Sequence, residues 1–237
     1  MKIVFAGPSL YGVDFDPGDV TIRGPVEMGD LERAVAAGAI SVGIIDGHYQ
    51  QTGAVWHKEI LHAIASGTAV YGAASMGALR AAECEDFGMI PIGDIATRYC
   101  TGALFDDADV ALTNGPAELG FPPLTEALVD VVATAIHLRS KRLVTAADAE
   151  RIVTAARTIF FADRTIEAIF EHLAPELLGL YRTHRVSLKT TDALALVETL
   201  KALPAGTNRA PPRDWRFINS PFWTERATPR SSAVTSQ

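Results

Sequence analysis

The sequence predicts an α/β fold in which a mostly parallel sheet is flanked by helices and is followed by an all-helical C-terminal lobe and a flexible tail. Three observations support this prediction. The β-rich runs in the first third of the chain are apolar on consecutive positions, which is typical of strands buried on both faces. Helix-like segments separate those runs. After residue 112, apolar residues recur only at helical spacing.

The predicted elements of the first third alternate between strand and helix. The four predicted strands are the runs KIVFAG, VTIRG, SVGIID and AVYGA. Helices are predicted over residues 27–38, 52–67 and 75–87, and Thr52 is the expected N-cap of the second. This alternation implies parallel strands that are joined by right-handed crossovers.

The chain is predicted to divide into three regions. Residues 1–119 form the α/β domain, and residues 120–205 form the helical lobe. Residues 206–237 are rich in Pro, Arg, Ser and Thr, which favours a flexible tail. The stretch DWRFINSPFWT within this tail is an exception, because disordered tails contain few aromatic residues. We expect it to dock on the body of the protein or on a partner.

The charge of the chain is unevenly distributed. The net charge is −7, yet residues 206–237 contain five arginines and two acids, a net of +3, which leaves −10 on residues 1–205. An acidic chain argues against a nucleic-acid partner. The apolar start MKIVFAGPSL is short for a signal peptide, and no apolar stretch has the length of a membrane span. We therefore expect a cytoplasmic location and no membrane partner.

Three turns follow predicted strands and contain glycine or serine. They are Ala6–Leu10, Ile45–Tyr49 and Gly72–Gly77. Because the carboxyl ends of parallel strands meet at one edge of a sheet, we expect these turns to line one pocket. The turn residues expected to bind a substrate are Gly7, Ser9, Asp46, Gly47, Ala74, Met76 and Gly77.

Ser75 is predicted to lie at the N-terminus of a helix, where unpaired amides and the helix dipole favour anions. The stretch AASMG loosely resembles a nucleophile elbow, but Ala73 stands where that motif has its first glycine. Arg80 and Glu83 lie three residues apart on one face of the same helix. Two interpretations stay open: these side chains act on an anionic substrate, or Ser75 caps the helix and Arg80–Glu83 is a surface pair.

The stretch VWHKEIL carries three consecutive polar side chains, His57, Lys58 and Glu59. Consecutive residues point about 100° apart around a helix, so these three cannot all face one ligand. Either some of them reach the substrate, or they form a solvated face opposite a buried stripe. That stripe is predicted to consist of Trp56, Ile60 and Ala63.

The motifs of common cofactor sites are absent from the sequence. There is no GxxxxGK[ST], GxGxxG, HExxH or paired CxxC pattern, so no nucleotide or zinc site is predicted. The acidic run DDADVAL offers carboxylates that suit Mg²⁺, but such a run is more often a helix start or a surface loop. We expect neither a metal nor another cofactor.

Several of these stretches together resemble the TfuA-like family. The matching pieces occur in the family's order within residues 4–112 and are VFAGPSL, IIDGHY, VWHKEIL, GAASMGALRAAE followed by FGM, and DDADVAL. Ala108 interrupts the last piece, where the family usually has a longer run of acids.

The resemblance implies a role beside YcaO enzymes, which use ATP to replace the oxygen of a peptide backbone amide by sulfur. It implies that the protein supplies this sulfur by hydrolysing the thiocarboxylate at the C-terminus of a ThiS-like sulfur carrier. It also implies that the protein helps YcaO engage its peptide substrate. The expected partners are therefore a YcaO protein, the thiocarboxylated carrier and the YcaO peptide substrate.

Two mechanisms are compatible with this activity. In one, Ser75 attacks and forms an acyl-enzyme; in the other, water attacks and Ser75 only orients the substrate. The residues expected to be catalytic are Ser75, His48, His57, Lys58 and Arg80, and Glu59 and Glu83 are expected to contact the substrate. The alternatives to a hydrolase are a non-catalytic adaptor that recruits carrier or peptide to YcaO, and a persulfide relay through Cys84 or Cys100.

Overall fold

A computed structural model describes residues 1–48, 53–204, 214–220 and 223. These residues contain one five-stranded sheet in which every pairing is parallel. The strands are β1 (Lys2–Phe5), β2 (Val20–Arg23), β3 (Ser41–Ile44), β4 (Ala69–Gly72) and β5 (Ile90–Pro91). Their order across the sheet is β2-β1-β3-β4-β5. The predicted parallel α/β core is confirmed.

The strand that the sequence does not predict is β5. It has two residues and pairs only with β4, at the edge of the sheet. Pro91 has no N–H to donate to a further strand, which is why proline is tolerated at an edge. So short a strand carries no periodic signal.

The described part of the chain contains nine α-helices. They are α1 (Asp30–Ala36), α2 (His57–Ala65), α3 (Met76–Cys84), α4 (Gly93–Cys100), α5 (Leu128–Ser140), α6 (Ala146–Thr158), α7 (Ile166–Phe170), α8 (Pro175–Thr183) and α9 (Leu188–Ala202). The all-helical C-terminal part is thereby confirmed. The sequence predicts no helix at α4. The predicted N-cap Thr52 lies outside the described residues, and Trp56 occupies the N-cap of α2.

The two faces of the sheet are covered by different helices. Side chains of Ile3 and Phe5 point to the face that packs against α1, α2 and α3. The alternate residue Val4 points to the other face, where Leu196 and Val197 of α9 pack. Gly43 makes room for α9, because a Cβ at that position would lie 2.4 Å from Leu196 Cδ2.

The remaining C-terminal helices have a core of their own. Leu138 of α5, Ile152 of α6, Phe170 of α7 and Tyr181 of α8 pack together. The division of the chain into domains at residues 119 and 205 stays a prediction, although α9 packs on the sheet. None of the helices in the described ranges is long and apolar enough to span a membrane.

The predicted buried stripe of α2 needs one correction. Ile60 and Ala63 are buried as predicted, but Trp56 is 47% exposed. Trp56 stands at the N-cap, before the first helical turn, so the helical spacing does not aim it at the core. Glu59 is buried in its place, and its Oε2 accepts a hydrogen bond from the Gly29 amide at 2.7 Å.

Candidate functional site

The turns after β1 and β3 are joined by the buried carboxylate of Asp46. Its Oδ2 accepts hydrogen bonds from the amides of Gly7 at 2.8 Å and Ser9 at 3.0 Å. Its Oδ1 accepts a hydrogen bond from Ser9 Oγ at 2.7 Å. Asp46 therefore fixes the shape of the β1 turn, and three of its acceptor positions are occupied.

The turn after β4 lies at the same edge of the sheet. A Cβ at Gly47 would lie 2.4 Å from Met76 Sδ, and the Gly77 amide donates to the Ile45 carbonyl at 3.1 Å. The three turns meet at one edge of the sheet as predicted, and a pocket lined by all three stays a prediction. They pack against one another closely enough that Ser9, Asp46 and Ser75 are all buried.

Ser75 follows a strained turn at the end of β4. Ala74 has a φ of +64°, and the Ser75 amide donates to the Ala73 carbonyl at 2.8 Å, as in a γ-turn. Ser75 occupies the N-cap of α3, but its side chain makes no capping hydrogen bond and the residue is 2% exposed. The Gly77 and Ala78 amides are already bonded to carbonyl oxygens. The helix N-terminus thus offers an anion few free donors.

A second group of candidate side chains joins α2 to α3. His57 Nε2 lies 2.8 Å from Glu83 Oε2, and Arg80 Nη1 lies 2.5 Å from the same oxygen. Arg80 Nε also donates to the Val55 carbonyl at 3.2 Å. His57 has a side chain 51% exposed, whereas that of Arg80 is 17% exposed. We call His57, Arg80 and Glu83 the imidazole cluster.

The imidazole cluster has the geometry of a base held by a carboxylate. When Nε2 of His57 carries the proton and donates to Glu83, Nδ1 carries the lone pair and is able to accept a proton. The Arg80 guanidinium on the same oxygen keeps Glu83 in position. A solvent-accessible imidazole oriented in this way is suited to activating water.

The structure separates this cluster from Ser75. Glu83 follows Ser75 by eight residues along α3. At 1.5 Å per residue, this spacing amounts to about 12 Å along the helix axis. Glu83, the residue that bonds to His57, therefore lies about two helical turns beyond the buried Ser75.

Lys58 contacts the aromatic part of the C-terminal region. Its Nζ donates to Ser220 Oγ at 2.8 Å and lies 5.6 Å from the ring centroid of Phe217 and 5.8 Å from that of Trp223. Trp215 packs edge-on against Phe87. The expectation that this stretch docks on the body of the protein is confirmed for residues 214–220 and 223.

His48 lies in a separate cleft at the carboxyl edge of the sheet. Its Nε2 is 3.6 Å from Glu27 Oε1. The cleft has a volume of about 560 Å³ and is lined by Gly24, Pro25, Glu27, His48, Asn114, Gly115, Pro116, Ala117, Glu118 and Phe121. His48 is the single catalytic candidate from the sequence that lines it. The sequence predicts no role for the loop of residues 114–121, because this loop contains no recognisable chemical motif.

The acidic run makes local contacts in the structure. Asp106 Oδ1 accepts a hydrogen bond from the Ala108 amide at 2.9 Å and so caps a short 3-10 turn over Asp107–Asp109. Across the described ranges, no three His, Cys, Asp or Glu side chains are grouped as metal ligands.

The two cysteines are poorly suited to a persulfide relay. Burial raises the pKa of Cys84 to about 12 and that of Cys100 to about 11. Because the thiolate is the nucleophile, a raised pKa leaves little of the reactive form of either thiol near neutral pH. We therefore predict that the double variant Cys84→Ala/Cys100→Ser and the wild-type protein give the same rate in the sulfide-release assay that the resemblance to the TfuA-like family suggests. A lead-acetate or methylene-blue assay measures the sulfide that is released. Loss of sulfide release in a correctly folded variant would support the persulfide relay.

Comparison with known proteins identifies the family to which this chain belongs. The fold is an α/β class with a parallel sheet, and the turns at Gly7, Asp46 and Ser75 meet at the carboxyl edge of that sheet. A family model described as TfuA-like protein matches residues 46–165, which is 120 of 237 residues. The chain belongs to the TfuA-like family, and this membership is consistent with a YcaO-associated role in thioamidation. A search of curated proteins found no match.

Proposed function

We propose that this protein hydrolyses the C-terminal thiocarboxylate of a ThiS-like sulfur carrier and so provides sulfide for YcaO-dependent peptide thioamidation. The family supports the YcaO context. The observation that supports hydrolysis is the contact of 2.8 Å between His57 Nε2 and Glu83 Oε2, which leaves the imidazole accessible to solvent. Arg80 is bound to the same carboxylate.

The imidazole cluster supports attack by water. His57 Nδ1 accepts a proton from a water molecule while Glu83 stabilises the imidazolium that forms. The hydroxide adds to the carbon of the ionised thiocarboxylate and gives a tetrahedral dianion. Collapse of this dianion breaks the C–S bond, and the proton returns from His57 to the departing sulfur, which leaves as HS⁻. The carboxylic acid that remains loses its proton through solvent to HS⁻, so thiocarboxylate and water become carboxylate and hydrogen sulfide with no oxidant or reductant required.

Charge near the imidazole cluster supports an anionic substrate. Residues 1–205 are net negative, so a carrier tail that ends in an anion needs local positive charge. Lys58 follows His57 directly in α2, and Arg80 lies across from it on α3. Arg80 is the group that would orient the thiocarboxylate, and Lys58, whose Nζ donates to Ser220 Oγ, would add positive charge nearby.

Ser75 has a smaller role in this proposal than an acyl-enzyme would require. Ser75 is almost fully buried and about 12 Å along α3 from the residue that holds His57. Ser75→Ala should therefore slow sulfide release much less than His57→Gln, when both are measured at saturating carrier. Equal losses in the two variants, or a carrier–Ser75 ester detected by mass spectrometry, would favour the acyl-enzyme instead.

The test of the proposed function is sulfide release by the full-length protein alone. Thiocarboxylated carrier is incubated with catalytic amounts of the protein, without YcaO and without ATP. We expect many equivalents of sulfide per protein molecule. An adaptor that only recruits carrier or peptide to YcaO would release none.

A further inference from the structure

The cleft that contains His48 has no part in the proposed hydrolysis, because Ser75, Arg80 and His57 do not line it. Its volume of about 560 Å³ is typical of ligand pockets. Apart from His48, the lining comes from Gly24, Pro25 and Glu27, which follow β2, and from the loop 114–121. The chemistry of these groups defines the ligand that the cleft fits.

The lining supplies hydrogen-bond acceptors. Glu27 and Glu118 contribute carboxylates, which accept hydrogen bonds and donate none when ionised. Pro25 and Pro116 have no N–H to donate. A ligand that binds to the two carboxylates needs to bring donors.

Several donors of the lining are already engaged within the protein. The Asn114 side-chain amide donates to the Gly115 carbonyl at 2.8 Å, which leaves the Asn114 carbonyl oxygen as a further acceptor. The Gly115 amide donates to the Pro122 carbonyl at 2.8 Å. The Glu27 amide donates to Asp30 Oδ2 at 2.8 Å. The internal bonds engage carbonyl acceptors as well as donors, because the Pro116 carbonyl accepts from the Leu119 and Phe121 amides at 3.1 and 3.2 Å. The two carboxylates are therefore the groups that distinguish this lining.

Charge and shape restrict the ligand further. Among the lining residues that the structure describes, His48 is the one basic side chain, against two carboxylates. Phe121 forms a wall, and its ring lies close enough to Gly24 that a Cβ there would be 3.2 Å from Cζ. Phe121 has a φ of +61°, a left-handed conformation that costs energy for a bulky residue. The ring is thus held at the cleft by the surrounding structure.

We propose that this cleft binds an arginine side chain that an extended segment of a partner polypeptide presents. A guanidinium has five donors and no acceptor, it pairs with carboxylates, and it stacks on aromatic faces. These properties match the carboxylates of Glu27 and Glu118 and the Phe121 ring. Gly24, Gly115 and Ala117 have small or absent side chains, which leaves room for the main chain of the ligand.

The test uses the full-length protein and short labelled peptides. The probe is fluorescein-labelled Gly-Gly-Arg-Gly-Gly-amide, and the control peptide has neutral citrulline in place of arginine. Fluorescence anisotropy should give at least about tenfold tighter binding of the arginine peptide, because charge-assisted hydrogen bonds are lost with citrulline. Added NaCl should weaken the binding of the arginine peptide more than that of the citrulline peptide.

Variants of the lining connect this preference to the cleft. The double variant Glu27→Gln/Glu118→Gln should lose the preference for arginine, whereas Glu176→Gln, an exposed acid in the first turn of α8, should keep it. Phe121→Leu should reduce the preference for arginine over a lysine peptide. Equal binding of the two original peptides, no binding, or an unchanged preference in the folded double variant would each overturn the proposal. None of these readouts depends on sulfide release.

Discussion

Replacing His57 with glutamine should reduce the kcat of sulfide release by about 10²–10⁴-fold, which is the usual contribution of a general base. Glutamine keeps a polar side chain at this exposed position, so the fold should be unaffected. The side chain of Gln has no nitrogen that accepts a proton from water near neutral pH. The measurement is the initial rate of sulfide formation at saturating thiocarboxylated carrier.

Two further variants sharpen this prediction. Glu83→Gln removes the charge that stabilises the imidazolium but keeps an oxygen that accepts the hydrogen bond, so it should lower kcat less than His57→Gln. His172→Gln makes the same substitution at an exposed histidine that follows α7, and should leave the rate unchanged. A folded His57→Gln protein with the wild-type rate would show that another group activates the nucleophile.

Gly77→Ala should destabilise the protein by at least about 3 kcal/mol, which is the upper range for overpacking. A Cβ at Gly77 would lie 1.8 Å from the carbonyl oxygen of Ile44 in β3. Because the obstacle is backbone of a central strand, the clash requires α3 to move away from the sheet. The measurement is the free energy of unfolding in urea. Insoluble Gly77→Ala protein would agree with the prediction.

The control for this prediction is a second glycine in a helix. Gly179 in α8 has no atom within 4 Å of the position that a Cβ would take. Gly179→Ala should therefore stabilise the protein by about 0.5–1 kcal/mol, since alanine loses less backbone entropy in a helix. An equal effect of the two substitutions would show that the close approach of α3 to β3 does not limit stability.

The sequence predicts the parts of the structure that depend on local patterns. Consecutive apolar residues identify four of the five strands, and the rule for parallel strands correctly brings the turns at Gly7, Asp46 and Ser75 to one edge. The sequence does not predict which contacts join these turns. The Asp46 carboxylate bonds to the β1 turn, and packing details of this kind are not encoded in local spacing.

The contacts that carry the two proposals join distant parts of the chain. His57 and Glu83 are 26 residues apart, and their contact depends on how α2 and α3 pack. The cleft combines the end of β2 with a loop that begins at Asn114. Neither pairing follows from a periodicity, because each is set by tertiary packing. Position within α3 alone does predict that Arg80 and Glu83 interact.

The central claim is that this protein itself converts a thiocarboxylate to a carboxylate. Intact-mass analysis of the carrier, after incubation with catalytic amounts of the full-length protein in the absence of YcaO and ATP, tests that claim most directly. We predict that the thiocarboxylated carrier disappears, that the carboxylate form accumulates, and that His57→Gln protein leaves the carrier largely unconverted. Carrier that remains thiocarboxylated with wild-type protein, while the same protein still increases thioamide formation by YcaO, would contradict the claim.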